Sequence, residues 1–167
     1  MYKLRTRQGR TADTTKNCPL QNPKTMRAFL LFLAVALSAA AAELEDSCLA
    51  CMCYVSSNGC VMPDGVCRTT TWSEVCGPWA VTKPYWEDAH KPGGEFYTCM
   101  ADWDCNEQTV RAYLDRYVEN PFANCETYAR THYGGPWGMN EDYATDYWLL
   151  VKDCLDNGLF TPPPNVE

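Results

Sequence analysis

The chain has 167 residues and a formal net charge of −7, with 14 Lys and Arg against 21 Asp and Glu and two His. This acidic balance argues against a nucleic acid partner and against close approach to an anionic membrane or bacterial wall. Eleven cysteines in so short a chain argue against a reduced, cytosolic protein and favour a disulfide framework.

The first 42 residues are interpreted as two segments that precede the folded domain. Residues 1–25 are basic and polar, and we interpret them as an extension of the gene model, with a genuine disordered extension as the alternative. Residues 26–42 have the layout of a secretory signal peptide: a basic start, the apolar run Phe29–Leu37 and a tail of small residues, with cleavage expected before Glu43. A membrane anchor is the alternative, but the apolar run is shorter than the roughly 20 residues that a spanning helix needs. We therefore expect a secreted, extracellular protein without a membrane span.

One domain, residues 43–156, is expected after this leader, followed by a flexible proline-rich tail over 157–167. Residues 43–167 contain seven Lys and Arg against 20 Asp and Glu, a net charge of −13. Ten cysteines remain in this part, and an even number in a short secreted chain predicts five disulfides whose pairing the sequence does not choose. The cysteines are Cys48, Cys51, Cys53, Cys60, Cys67, Cys76, Cys99, Cys105, Cys125 and Cys154.

Zinc ligation is the alternative explanation for the opening cysteines. Cys48 and Cys51 have the two-residue gap of a zinc ligand pair, but the single residue between Cys51 and Cys53 does not suit a zinc finger or ribbon. We therefore expect no metal and no other cofactor.

Local patterns predict an α+β domain of mostly short helices with one small β-hairpin. A first helix is expected over Cys48–Val55, capped by Ser47 and ended by the turn Asn58-Gly59. The turn signal Pro63-Asp64-Gly65 then predicts a hairpin whose second strand covers Val66–Thr71. Four further helices are expected, at Pro84–Ala89, Asn106–Val118, Asn124–Tyr133 and Asn140–Leu155.

Several cysteine and aromatic motifs occur in succession between Cys48 and Cys154. They are Cys48-x-x-Cys51-x-Cys53, Gly77-Pro78-Trp79, Pro84-Tyr85-Trp86, Tyr128–His132 with Gly134-Gly135-Pro136, and Tyr147-Trp148. No motif is decisive alone, but the ordered set resembles the invertebrate-type lysozymes, also called the destabilase family. The resemblance implies a lysozyme-like fold with a cleft between a helical part and a hairpin. It also implies β-1,4-linked aminosugar glycans of peptidoglycan or chitin as the ligand, and action in defence or digestion.

The resemblance further implies the positions of two catalytic carboxylates, and this sequence has neither. The family's general acid falls at Ser56, five residues after Cys51, and its second carboxylate falls at Thr70, three residues after Cys67. A hydroxyl is too weak an acid to protonate a glycosidic oxygen near pH 7 and has no charge to stabilise an oxocarbenium ion. We therefore expect that muramidase activity is lost and that the protein binds glycans as a pseudoenzyme.

Two enzymatic alternatives and one non-enzymatic alternative remain. Asp64 and Glu74 are nearby acids that could replace the missing pair in an active hydrolase. The family's second activity, isopeptide hydrolysis, implies a serine, a lysine and a histidine. Ser73 and His132 match, but the lysine is displaced by one residue, to Lys83. A secreted interaction protein that keeps only the fold is the third alternative.

Glycan binding would use aromatic rings, because their faces stack on sugar rings over a large apolar area. For Tyr85 and Trp86 the alternative is packing of the helix that they open. The candidate substrate-binding residues are Trp79, Tyr85, Trp86, Trp103, His132 and Trp137.

Overall fold

A computed structural model describes residues 43–159 of the chain. These residues form six α-helices, one 3-10 helix and one two-stranded antiparallel sheet, as an α+β domain should. The helices are α1 (Asp46–Ser57), α2 (Lys83–Asp88), α3 (Phe96–Ala101), α4 (Trp103–Tyr117), α5 (Cys125–Gly134) and α6 (Asp142–Asn157), with the 3-10 helix Gly135–Asn140 between the last two. The strands are β1 (Cys67–Thr69) and β2 (Glu74–Cys76).

The predicted leader over 1–25 and 26–42, and the tail from residue 160, lie outside the described residues. Within residues 43–159, none of the helices is both long and apolar enough to cross a membrane.

All ten cysteines of the domain are paired, as the even count predicts. The disulfides are Cys48–Cys125, Cys51–Cys154, Cys53–Cys60, Cys67–Cys76 and Cys99–Cys105. Three of them start from α1, and they tie this helix to the start of α5, to α6 and to the loop that follows α1. Cys48 and Cys51 have different disulfide partners, so neither offers a thiolate to zinc.

Helix α1 starts earlier than expected but stops where expected. It begins at Asp46, so Ser47 lies in the first turn rather than at the cap, and its hydroxyl donates to the Glu45 carboxylate at 3.4 Å. Asn58 takes the left-handed conformation with φ of 57°, and its N–H bonds to the carbonyl of Tyr54. The local Asn-Gly signal therefore ends the helix as predicted.

The hairpin has a different turn from the one that the sequence favours. Cys67 pairs with Cys76, and Thr69 pairs with Glu74, so the connecting turn is Thr70–Ser73. The Pro63-Asp64-Gly65 segment is a separate turn ahead of β1, closed by a bond from the Val66 N–H to the Pro63 carbonyl at 2.9 Å. The predicted second strand, Val66–Thr71, thus covers β1 and the first two residues of the true turn, and the Cys67–Cys76 disulfide bridges the paired ends of β1 and β2.

Side-chain caps place two of the remaining helices close to their predicted positions. Thr82 accepts from the Tyr85 N–H at the start of α2, and Asn124 accepts from the Thr127 N–H at the start of α5. Helix α6 instead begins at Asp142 after Glu141, since the expected cap Asn140 is the last residue of the 3-10 helix. Both this 3-10 helix and the short helix α3 are absent from the sequence-based prediction.

The core is built around α1 and the segment after the hairpin. Trp79 is 1% exposed and donates its indole N–H to the Leu49 carbonyl at 3.0 Å, which fixes this segment against α1. Met52, Val110 and Val151 bring α1, α4 and α6 into the same cluster. The C-terminal end of α1 and the hairpin turn remain at the edge of this core.

We predict that the disulfides contribute to stability according to the loop that they close. Replacing Cys51 and Cys154 together by alanine opens a crosslink of sequence separation 103 and should lower the free energy of unfolding by about 4–5 kcal/mol. Replacing Cys99 and Cys105, whose separation is 6, should cost about 2–3 kcal/mol. Denaturant unfolding of both variants measures the difference, and equal losses would contradict this ranking.

Candidate functional site

The two positions that the family resemblance assigns to catalytic carboxylates lie on neighbouring elements. Ser56 is in the last turn of α1, and Thr70 opens the turn after β1. Arg68 on β1 donates from Nη2 to the Ser56 carbonyl oxygen at 2.6 Å, which fixes the hairpin against the end of α1. The contact is a charge-assisted hydrogen bond, the stronger kind.

The Ser56 hydroxyl is part of a partly buried hydrogen-bond chain. Its Oγ lies 3.1 Å from the Tyr147 hydroxyl oxygen, and Tyr147 donates its own proton to the Met52 carbonyl at 3.1 Å. Ser56 is therefore the donor to Tyr147. Burial raises the pKa of Tyr147 above its usual value, so this phenol stays protonated at neutral pH. Two neutral hydroxyl groups, those of Ser56 and Tyr147, therefore occupy the place where a glycosidase would have the carboxyl group of its general acid.

The Thr70 side chain is used to close the hairpin turn. Its Oγ1 accepts from the N–H of Trp72 at 3.3 Å and from the N–H of Ser73 at 3.1 Å. The same hydroxyl donates to the Ser73 carbonyl at 2.8 Å, next to the backbone bond from the Thr70 N–H to that carbonyl. Thr70 thus acts as a turn residue through three side-chain hydrogen bonds.

The two possible replacement acids both lie on the surface. Asp64 is exposed in the turn before β1, and Glu74 is exposed on β2. The Glu74 carboxylate accepts from the Tyr97 hydroxyl at 3.1 Å, and this contact raises the pKa of Tyr97. Neither carboxyl group has the apolar surroundings that a glycosidase acid needs.

The three residues of the isopeptidase alternative lie on different elements of the fold. Ser73 is exposed in the hairpin turn, and Lys83 is exposed at the first residue of α2. His132 is 9% exposed; its Nε2 donates to the Trp79 carbonyl at 3.1 Å, and its Nδ1 accepts from the Tyr85 hydroxyl at 3.0 Å. Burial lowers the pKa of His132 to about 4, so the ring is neutral at pH 7. With both ring nitrogens bonded, His132 has none left to activate Ser73.

Three of the six candidate substrate-binding residues are buried. They are Trp79 at 1%, Trp86 at 4% and His132 at 9% exposed. The two indoles satisfy their N–H groups inside the protein, Trp79 on Leu49 and Trp86 on the Pro92 carbonyl at 2.9 Å. Their rings therefore fill the core and present no face to a ligand.

The other three candidates differ in exposure. Tyr85 is half-buried and stacks on Tyr113 with ring centroids 3.5 Å apart. Trp103 is half-buried and meets Trp79 edge-on at 6.1 Å. Trp137, in the 3-10 helix, is 73% exposed and is the member of this set with a free ring.

One strongly exposed aromatic residue near the site is missing from the sequence-based candidates. Trp72, in the hairpin turn, is 93% exposed. Because the sequence favours the turn at Pro63-Asp64-Gly65, it places Trp72 at the end of a β-prone run. The signal that could have found it is the nine-residue separation of Cys67 and Cys76, which leaves room only for two short strands and a turn between them.

A cavity of about 800 Å³ lies elsewhere in the domain. It is formed by the start of the described chain, at Glu43 and Leu44, and by α4 residues that include Glu107 and Arg111. No residue of the candidate site lines it. We therefore assign the candidate site to the end of α1 and the hairpin. The criterion is the position of Ser56 and Thr70, and not the size of a cavity.

Comparison with known proteins agrees with this architecture. Residues 45–154 match the family model described as Destabilase. The chain is 40% identical over 124 residues to a lysozyme of Magallana gigas, covering 73% of this chain and 88% of that protein. It is 38% identical over 112 residues to an invertebrate-type lysozyme of Ruditapes philippinarum, covering 65% of this chain and 80% of that protein.

Solved structures give the same result. The crystal structure of Tapes japonica lysozyme matches with a TM-score of 0.59 and 36% identity over 65% of this chain and 88% of that one. Meretrix lusoria lysozyme in complex with Aeromonas hydrophila PliI matches with a TM-score of 0.59 and 28% identity over 66% and 89%. The fold and the hairpin beside α1 thus define a lysozyme-like protein. The chain belongs to the destabilase family of invertebrate-type lysozymes, which confirms the resemblance seen in its sequence.

We predict that His132 makes stability depend on pH. The folded state keeps the ring neutral down to about pH 4, whereas an unfolded histidine takes up a proton near pH 6.5. The unfolded state therefore binds more protons between these values, and the free energy of unfolding falls as the pH is lowered, by about 3 kcal/mol from this residue when protonation is complete.

Denaturant unfolding at pH 7 and pH 4.5 measures this effect. The matched variant His132→Gln can keep a donor towards Trp79 and an acceptor towards Tyr85 but does not titrate. It should lose less stability than the wild type over this range. An equal loss in both proteins would contradict the assignment to His132.

Proposed function

We propose that this protein is a secreted, non-lytic binder of β-1,4-linked aminosugar glycans of the peptidoglycan or chitin type, acting in defence or digestion. The observation that supports it best is the pair of hydroxyl residues, Ser56 and Thr70, at the family's catalytic carboxylate positions. General acid catalysis contributes roughly 10²–10⁴-fold in rate, and the second carboxylate adds electrostatic stabilisation of the oxocarbenium ion.

The hydrogen bonds at both positions support loss of catalysis. Ser56 donates to Tyr147, and Thr70 holds the hairpin turn, so each hydroxyl already has a structural partner. These partners, the Tyr147 hydroxyl and the Ser73 carbonyl, are uncharged. Neither Ser56 nor Thr70 therefore has a group beside it that would make it an effective proton donor. Sugar binding, in contrast, depends on shape, apolar contact and hydrogen bonds, none of which requires a carboxylate.

Charge and disulfides support the rest of the proposal. The net charge of −13 over residues 43–167 opposes tight adsorption to an anionic bacterial wall at low salt, which a lytic enzyme would need. Five disulfides in the domain favour an oxidising compartment and hence secretion, as does the signal-peptide pattern over residues 26–42.

We predict that the purified protein is retained on insoluble chitin or peptidoglycan but does not clear a suspension of bacterial walls. Turbidity measures lysis, and sedimentation with the polysaccharide measures binding. Clearing by the wild-type chain would overturn the proposal. Absence of retention on both polymers would favour the interaction protein instead. Release of label from a γ-glutamyl-lysine substrate that is lost in Ser73→Ala would establish the isopeptidase.

We also predict that restoring the carboxylates restores measurable hydrolysis. In Thr70→Asp the carboxylate can accept the same N–H groups of Trp72 and Ser73, so the turn should survive. Combined with Ser56→Glu, it supplies an acid and an anionic partner. Hydrolysis is measured as release of reducing sugar from wall glycan.

The matched control is Ser56→Gln with Thr70→Asn, which has similar shape without acid or charge. Hydrolysis by the carboxylate pair and none by the amide pair is the expected result. A folded carboxylate variant without activity would contradict the idea that only these two groups are missing from the site.

A further inference from the structure

The side chain of Trp72 is unusually open for a tryptophan. It is 93% exposed, and its ring makes no aromatic contact or hydrogen bond among residues 43–159. A tryptophan ring has a large apolar face, and leaving it in water forgoes the burial that normally stabilises such a side chain. An exposed ring in the hairpin turn is therefore a candidate contact for a ligand or another molecule.

The backbone that carries Trp72 is held firmly. The turn is closed by the bonds between Thr70 and Ser73, and the Trp72 N–H itself bonds to the Thr70 hydroxyl. The Cys67–Cys76 disulfide links the two strands at the other end of the hairpin. A ring presented on a fixed turn loses less conformational entropy on binding than one on a loose loop.

Two side-chain bonds also anchor the hairpin to its neighbours. Arg68 on β1 bonds to the Ser56 carbonyl at the end of α1, and Glu74 on β2 bonds to Tyr97 in α3. Trp72 follows Thr70 by two residues, so its Cα lies within about 8 Å of the Thr70 Cα. The turn that carries the ring thus lies at the edge of the site defined by Ser56 and Thr70.

The turn around this ring is polar but uncharged. The neighbours of Trp72 in sequence are threonines on one side and Ser73 on the other. The two charged side chains of the strands, Arg68 and Glu74, are already bonded within the protein. Hydroxyl side chains next to an open aromatic residue in the same turn suit a sugar ring, which has apolar C–H faces and hydroxyl edges.

We propose that Trp72 is the stacking contact for an uncharged N-acetylhexosamine unit of a β-1,4 glycan at the edge of the site. This inference rests on the proposed glycan-binding function and specifies its ligand. The charge of −13 over residues 43–167 favours the uncharged sugar of chitin over the anionic chains of a bacterial wall. Thr70 then has a positioning role, because it holds the turn from which Trp72 projects.

The test compares the wild type with Trp72→Ala, Trp72→Tyr and Phe122→Ala in full-length protein. Phe122 is the matched control, since it is another strongly exposed aromatic residue, 88% exposed, and its turn is also held by hydrogen bonds, from the Phe122 N–H to the Asn120 side-chain oxygen and from the Ala123 N–H to the Asn120 carbonyl. Affinity is measured by calorimetry with soluble β-1,4 oligomers of N-acetylglucosamine, and retention is measured on insoluble chitin and on peptidoglycan. Thermal unfolding checks that each variant is folded, which exposed positions should permit.

Trp72→Ala should weaken oligomer binding about 10- to 30-fold, the effect of removing a tryptophan that dominates an interface. Trp72→Tyr should retain most of the affinity, because it keeps an aromatic face, and Phe122→Ala should change it by less than about threefold. Low-salt retention should be greater on chitin than on peptidoglycan.

Two outcomes separate this inference from the proposed function. If the wild type binds neither polymer nor the oligomers, the proposed function fails, and this inference fails with it. If the wild type binds and Trp72→Ala binds equally well, the inference alone is overturned.

Equal or greater retention on peptidoglycan would overturn the assignment to an uncharged sugar. If Trp72→Ala loses self-association but binds the sugar oligomers with unchanged affinity, the ring would be assigned to a contact between copies of the protein.

Discussion

The disulfides that start from α1 are the constraint on which the rest of the domain depends. Cys48, Cys51 and Cys53 are all buried, and the first two join α1 to Cys125 at the start of α5 and to Cys154 on α6. These crosslinks span 77 and 103 residues, so they remove much conformational freedom from the unfolded chain. The last turn of α1 is therefore held in place whatever side chain occupies position 56. The position of residue 56 is thus fixed by the cysteines of α1 and does not require a carboxyl group there.

The hairpin shows the same separation of structure from chemistry. A carboxylate at position 70 would accept backbone N–H groups in the turn and would also supply charge to a bound sugar. Thr70 keeps the first role, through its bonds from Trp72 and Ser73, and adds a bond to the Ser73 carbonyl. The second role is absent. One substitution can thus remove a charge without loosening the turn that held it.

Local signals in the sequence predicted much of this fold, and the failures arise where distant contacts decide. Asn58 ends α1 and Asn124 caps α5 through bonds within a few residues, so their roles are legible in the sequence. The strong turn signal at Pro63-Asp64-Gly65 misplaces the hairpin because strand register depends on pairing across the sheet, here with Cys67 opposite Cys76. The number of disulfides follows from the cysteine count, but their pairing does not, since it depends on which helices pack together.

Burial explains why the candidate site was predicted only in part. Residue type alone does not distinguish a tryptophan that fills a core, such as Trp79, from one that faces solvent, such as Trp72. The buried His132 is similar: its bonds to Trp79 and Tyr85 hold a neutral ring inside the core, although its sequence position suggests a catalytic base. Catalysis requires a charged or titrating group in the right place, whereas binding requires accessible area and matching hydrogen bonds. Because these requirements fall on different residues, the sugar-binding residues of the proposed function should be found by exposure rather than by catalytic motif.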